Sequence, residues 1–277
     1  MTYDVLGPGP LDYLPCRYGA SRLLFRGPKR DLSQPYLAFV GATETYGKFI
    51  ETPFPALVEK AMGRTCVNFG QVNAGVDVFC LDPYMVQTIS RAEISVIQIV
   101  GAQNMSNRFY SVHPRRNDRF VGPSTLLQTI FREVDFADFH FNKHMLSHLA
   151  EVSQERFQAV RQELQEAWKA RMKLLLKQIK GKSILLWVSD HAPQDADVYL
   201  SETKGSDPLL ITRDMLDDVA SYATHLVEVV ASPKAIAAGT DGMLLTEMDM
   251  PAATEMLGPM VHEEAAEALV ECIRTFK

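Results

Sequence analysis

Five short apolar runs, each cut off by a glycine or a polar turn, constrain this chain more than any other feature. They are Tyr36–Val40, Thr65–Phe69, Ile94–Val100, Ser183–Val188 and Leu226–Val230. Gly41, Gly70 and Gly101 end the first three; Ser189-Asp190-His191 and Ser232-Pro233 follow the others. The runs are β-branched and almost continuous rather than alternating, which is the pattern of strands buried on both faces. Amphipathic stretches separate them: 53–62, 135–150, 153–180, 214–223 and 262–276. Strands alternating with helices predict a parallel sheet with right-handed crossovers. The expected fold is a three-layer α/β/α domain with five parallel strands at about 36–41, 65–69, 94–100, 183–189 and 226–230, in flavodoxin-like order 2-1-3-4-5.

The whole chain, 1–277, is expected to form one such domain. Residues 1–35 hold five prolines and read as an irregular N-terminal arm. Residues about 101–150 read as an insertion after the third strand, because 101–134 has weak periodicity and is rich in Asn, Arg and Pro. The formal net charge of −6 argues against a nucleic-acid surface. The four cysteines, Cys16, Cys66, Cys80 and Cys272, have neither C-x-x-C nor zinc-finger spacing. With no secretory h-region and no apolar stretch near the ~20 residues of a membrane span, the expected location is the cytoplasm. No cofactor is expected, and a homo-oligomer is left open.

In open parallel sheets ligands bind beyond the carboxyl ends of the strands. The segments there are Gly41-Ala42-Thr43-Glu44-Thr45-Tyr46-Gly47, Asn68 to Gly75, and Gly101-Ala102-Gln103-Asn104. Thr43 stands where a helix begins and suits an N-cap as well as a ligand contact. Gln103 and Asn104 are a polar pair directly after a buried strand, a placement that favours a site over the core. Asp190-His191 is a candidate acid–base pair, although adjacent side chains seldom face one another. His140, His144 and His148 repeat every four residues; without accompanying acids or cysteines the stripe reads as a surface or partner face rather than a metal site. Arg17, Arg22, Arg26, Lys29 and Arg30 crowd the arm, and Arg108, Arg115, Arg116 and Arg119 the insertion. Guanidinium forks recognise anions, so Arg17, Arg22, Arg108 and Arg115 are candidate anion contacts; surface ion pairs are the alternative.

The order of these segments resembles the sequence blocks of SGNH (GDSL-type) hydrolases. The family's first block, G-D-S-x-T-Y-G, is matched at Gly41, Thr45, Tyr46 and Gly47. The resemblance implies that Thr43 takes the nucleophile position. It places the oxyanion donors at Gly75 (or Gly70) and at Gln103 or Asn104, and the histidine base at His262. Pro259 stands where the family's D-x-x-H block has its aspartate, leaving Asp190, Asp241, Asp249 or Glu255 as spatial substitutes. Ala42 replaces the first-block aspartate. The arm Tyr13–Gly19 and the segment Asn104–Phe120 also resemble a bacterial family of unknown function. Two functional expectations follow. One is an SGNH-like acyl-ester hydrolase or group-transfer enzyme acting on a small-molecule or glycan-linked anionic substrate, with Thr43 and His262 catalytic. The other is a catalytically inactive SGNH-like binding or assembly protein with an anion pocket.

Overall fold

The computed structural model describes residues 11–194 and 207–276. Strands β1 (Leu37–Val40), β2 (Cys66–Asn68) and β3 (Ile94–Gln98) precede a hairpin of β4 (Tyr110–His113) and β5 (Arg116–Pro123); β6 (Lys182–Ser189) and β7 (His225–Val230) follow. The main sheet runs β2-β1-β3-β6-β7 with every pairing parallel. This is the expected five-strand order, and the fold is α/β. β4 and β5 pair antiparallel as a separate ribbon.

The helices are α1 (Thr43–Tyr46), α2 (Phe54–Met62), α3 (Asp77–Cys80), α4 (Pro83–Arg91), α5 (Thr125–Ile130), α6 (Asn142–Val152), α7 (Gln154–Gln178), α8 (Arg213–Ala220), α9 (Pro233–Ala238), α10 (Met250–Ala253) and α11 (Pro259–Arg274). Alternating strand residues feed two cores, because successive side chains point to opposite faces. Ala38, Val40, Leu185 and Trp187 join α4, α7 and α8 on one side. Leu37, Phe39, Ile184, Leu186 and Val188 join α2 and α11 on the other.

Local chemistry sets the ends. Ser153 accepts from the Arg156 N–H and starts α7, and Gly63 closes α2 in the left-handed conformation. Asp82 accepts from the Tyr84 and Met85 N–H groups ahead of Pro83, a helix start that the apolar pattern did not reveal. The single helix expected over 135–150 is instead a short 3-10 turn, Phe136–Asp138, followed by α6. The weakly periodic insertion resolves into the hairpin, α5 and α6. His262 does not open the last helix: Pro259 takes the first helical position, and His262 is the fourth residue of the helix.

The arm is pinned by Arg26, one of the basic residues that sequence alone groups with the anion-seeking arginines. Its guanidinium is buried and donates to the carbonyls of Tyr46, Gly47, Ile50 and Glu51. It thereby closes the turn that follows α1, tying the arm to the end of β1. Five donors in a planar fork can serve four separated carbonyls; a lysine ammonium cannot. Arg26→Lys therefore orphans buried carbonyls and is expected to lower stability by about 2 kcal/mol or more, read as a reduced urea midpoint at unchanged m-value.

Candidate functional site

A cavity of about 680 Å³ opens at the carboxyl ends of β1 and β3. Thr43 and Glu44 come from the turn after β1, Asn73 from the loop after β2, and Gln103 and Asn104 from the loop after β3. Asp118 of β5, Asp207, and one face of α6 carrying Lys143, His144, Ser147 and His148 complete most of the wall. The cavity lies at the end of the sheet to which the carboxyl-end rule points, and Thr43, Gln103 and Asn104 all line it.

A buried amide sets the geometry on the β1 side. Gln98, the last residue of β3, turns its Oε1 towards α1, where it accepts from the Ala42 N–H (2.9 Å), the Thr45 N–H (3.2 Å) and the Thr45 hydroxyl (2.6 Å). With Oε1 so committed, Nε2 must point the other way, and it donates to Glu44 Oε2 at 2.6 Å. Gly41 is required for this approach, since a Cβ there would lie 2.3 Å from Gln98 Oε1. Glu44 is thereby held at the cavity wall. Burial, then the nearby Asp207 charge, raise its pKa, and the Gln98 hydrogen bond only partly offsets them.

Asparagines set the geometry on the other side. Asn142, fully buried at the start of α6, donates to Asn104 Oδ1 (3.0 Å) and to the Asn117 carbonyl. Asn117, on β5, accepts from the N–H groups of Gly75 (3.3 Å) and Val78 (3.1 Å). Asn104 donates to the Asn73 carbonyl at 3.1 Å. Five loops and elements are so joined through three side chains: α6, β5, α3 and the loops after β2 and β3. Gly75 sits hard against this network: a Cβ would fall 1.6 Å from the Asn104 carbonyl oxygen.

The groups that the hydrolase resemblance singles out have hydrogen-bond partners within the protein. The Thr43 hydroxyl accepts from the Asn73 N–H (3.0 Å) and donates to Asn73 Oδ1 (3.1 Å). The Gly75 N–H is taken by Asn117, and the Gln103 amide donates to Asp207 Oδ1 at 3.0 Å. Thr43 is not an N-cap: it is the first residue of a single-turn helix whose cap, Ala42, has no side-chain bond. One turn aligns too few peptide dipoles to favour an anion.

His262 is not among the residues lining the cavity. It lies in the apolar layer between α2 and α11, stacked on Phe54 with ring centroids 5.7 Å apart, and its Nδ1 accepts the Phe54 N–H at 3.2 Å. Burial, and then the charge of Arg26, lower its pKa to about 3. Of the acids weighed as its partner, Asp190 bonds His191 and Asp249 bonds Thr246, while Glu255 lines the cavity. Asp190 and Ser189 both approach the same nitrogen of His191, at 2.7 and 2.8 Å, so these two residues do not bridge the ring from one nitrogen to the other.

The arginine expectation is corrected too. Arg17, Arg22 and Arg115 are exposed and none lines the cavity. Arg108 is paired with Glu163 on α7, and Arg30 with Glu59. The wall is acidic instead: Glu44, Asp118, Glu151, Asp207 and Glu255 face one lysine and two histidines. The histidine stripe, expected to be a surface or partner face, divides. His144 and His148 are in this wall, whereas His140 precedes α6 and borders a second hollow near Phe120 and Phe136. Among the described residues no group of three or more His, Cys, Asp or Glu is arranged to hold a metal. No helix of the described residues is long and apolar enough to cross a membrane.

Acceptors remain where the donors are occupied. Gln103 Oε1 and Asp118 Oδ1 belong to residues only 4% and 8% exposed, and neither has a hydrogen-bond partner among the described residues. A buried acceptor left without a donor costs about 1–3 kcal/mol.

The chain belongs to a family described as a domain of unknown function, DUF6473, whose model matches residues 1–277. Among curated proteins none matches. One similar solved structure is described as the crystal structure of a possible lipase from Chitinophaga pinensis DSM 2588. It is 10% identical, with 87% of this chain and 98% of that chain covered, at a TM-score of 0.39.

Two outcomes test this geometry. Gly75→Ala is expected to cost about 3 kcal/mol through overpacking against the Asn104 backbone, seen in denaturant titration. For His262, the folded pKa lies below the unfolded value of 6.5, so the unfolded chain takes up a proton first as pH falls. Stability is lost on descending from about pH 6.5 towards 3, at up to about 1.4 kcal/mol per pH unit. His262→Gln removes this slope, so the wild-type advantage over it should shrink between pH 7 and pH 4 in paired melting curves.

Proposed function

We propose that the chain is a small-molecule-binding protein that uses the Thr43–Gln103 cavity and lacks the serine-hydrolase type of acyl transfer. The observation that carries this reading is the state of the Thr43 hydroxyl, which is closed on Asn73 in both directions. A nucleophilic hydroxyl needs an adjacent base to take its proton. The histidine in the family's base position bonds a backbone N–H in an apolar layer, and burial lowers its pKa to about 3, which makes it a poor acceptor for that proton. An oxyanion hole needs donors aimed at empty space. Those of Gly75 and Gln103 already meet acceptors within the protein. What the cavity supplies is a shaped polar enclosure with one carboxyl, Glu44, held by Gln98.

The acyl-ester reading rests on the block order Gly41, Thr45, Tyr46 and Gly47 around Thr43. The two readings separate in a direct assay. Wild type, Thr43→Ala and His262→Gln are compared on p-nitrophenyl acetate and butyrate. All three are expected at the rate of buffer with inert protein. Saturable turnover that falls at least tenfold in Thr43→Ala would restore the hydrolase.

A further inference from the structure

We infer that His144 and His148 form a clamp for one divalent transition-metal ion of the zinc, cobalt or nickel type inside the cavity. The inference rests on the binding reading above, because it adds a metal ion to the same cavity.

Three features point to the clamp. The first is spacing. His144 and His148 lie four residues apart on α6, and both line the cavity. Side chains at i and i+4 of a helix share one face, with Cβ atoms about 5–6 Å apart. Helical histidine pairs hold zinc with that spacing. The second is bracing. The buried Phe139 ring touches both imidazoles, its centroid 5.0 Å from that of His144 and 5.4 Å from that of His148. One phenyl ring restricts both side chains, so less freedom is lost when they chelate an ion. The third is company. Along the sequence the histidine stripe has no accompanying acids, but the fold supplies them. Glu151 follows His148 by three residues on the same helix, and Asp207 and Glu255 stand in the same wall. Carboxylates around a cleft raise the local concentration of cations.

The imidazoles decide which cation. Magnesium and calcium take oxygen ligands, whereas imidazole suits zinc, nickel and copper. An ammonium ligand would use the carboxylates alone and leave the histidine pair without a role. No three His, Cys, Asp or Glu side chains converge among the described residues. The protein therefore contributes two imidazoles, and the remaining positions go to water and to lone pairs of the bound small molecule. His140 provides an internal control. It stands four residues before His144, but it precedes α6, its carbonyl accepts the Phe120 N–H, and it borders the other hollow.

The test is isothermal titration of the full chain, free of any polyhistidine tag, with Zn²⁺, Co²⁺ and Ni²⁺, alongside Mg²⁺ and Ca²⁺. Saturable one-to-one heat is expected with at least one of the first three, and binding at least tenfold weaker with Mg²⁺ and Ca²⁺. His144→Ala and His148→Ala should each weaken the transition-metal binding at least tenfold. His140→Ala should leave it within twofold. Both clamp positions are on the cavity wall, and melting curves check that the variants fold. Silence with all three transition metals, an equal or stronger response to Mg²⁺ or Ca²⁺, unchanged affinity in either clamp variant, or an equal loss in His140→Ala would overturn the inference. None of these outcomes touches the binding reading itself, which falls only to ester turnover dependent on Thr43, measured separately.

Discussion

Asn142 holds the structure's working end together. Its side-chain amide, with no exposed surface, donates at once to Asn104 in the loop after β3 and to the backbone of β5. Both bonds are made by Nδ2; the Asn142 Oδ1 is buried without a partner and carries the cost of an orphaned polar group. The pairing fixes α6 and the hairpin over the ends of the parallel strands. Asn117 then reaches the loop after β2. The cavity exists because these segments cannot slide independently. A network of this type is strong only when most members are satisfied, since its low-dielectric surroundings magnify both gain and loss. That places the unpaired Gln103 and Asp118 acceptors in a demanding setting.

The polar groups at the strand ends are mostly committed to partners within the protein. Hydrogen-bond donors at the strand ends are turned inward to protein acceptors; carboxyls line the opening. The wall holds five acids, one lysine and two histidines, and one of the acids, Asp118, is paired with Arg116. Two of the arginines of the insertion have structural partners: Glu163 for Arg108, and the Phe141 ring, 4.4 Å from the Arg119 guanidinium. Exposed pairs of this kind contribute little to stability, typically about 0–1 kcal/mol. Buried Arg26 is the exception, and its role is in the backbone.

Strands, their order and the long helix were legible because burial on two faces leaves an unbroken apolar run, and because Gly63 and Ser153 punctuate helices locally. Thr43, Gln103 and Asn104 were legible as strand-end residues. Their hydrogen-bond partners were not, since Asn73, Asn117 and Asn142 lie far off in sequence and carry no periodic signal. Glu44 was inside the matched block at a position the resemblance leaves variable. Gln98 was hidden in the apolar run ISVIQIV, where a lone amide reads as part of a strand; the only signal available was that a polar residue in such a run needs a partner. His262 misled for a physical reason. A histidine near the start of a terminal helix suits catalysis by position alone, and only packing against Phe54 shows that its ring is a core group. The split of His144 and His148 from His140 depends on where α6 begins, which the aromatic-rich segment before it obscured.

The two edges of the main sheet are unlike its centre. β2 is three residues long, too short to template another strand. β7 ends the opposite side with His225 and Glu228 exposed, and Arg213 forms two hydrogen bonds across Glu228 at 2.5 and 2.7 Å. Charged side chains on an edge discourage backbone pairing with a second chain. Growth of the sheet from molecule to molecule is therefore disfavoured at both margins, so a crowded solution of this protein is protected from strand-by-strand polymerisation by its borders rather than by its core.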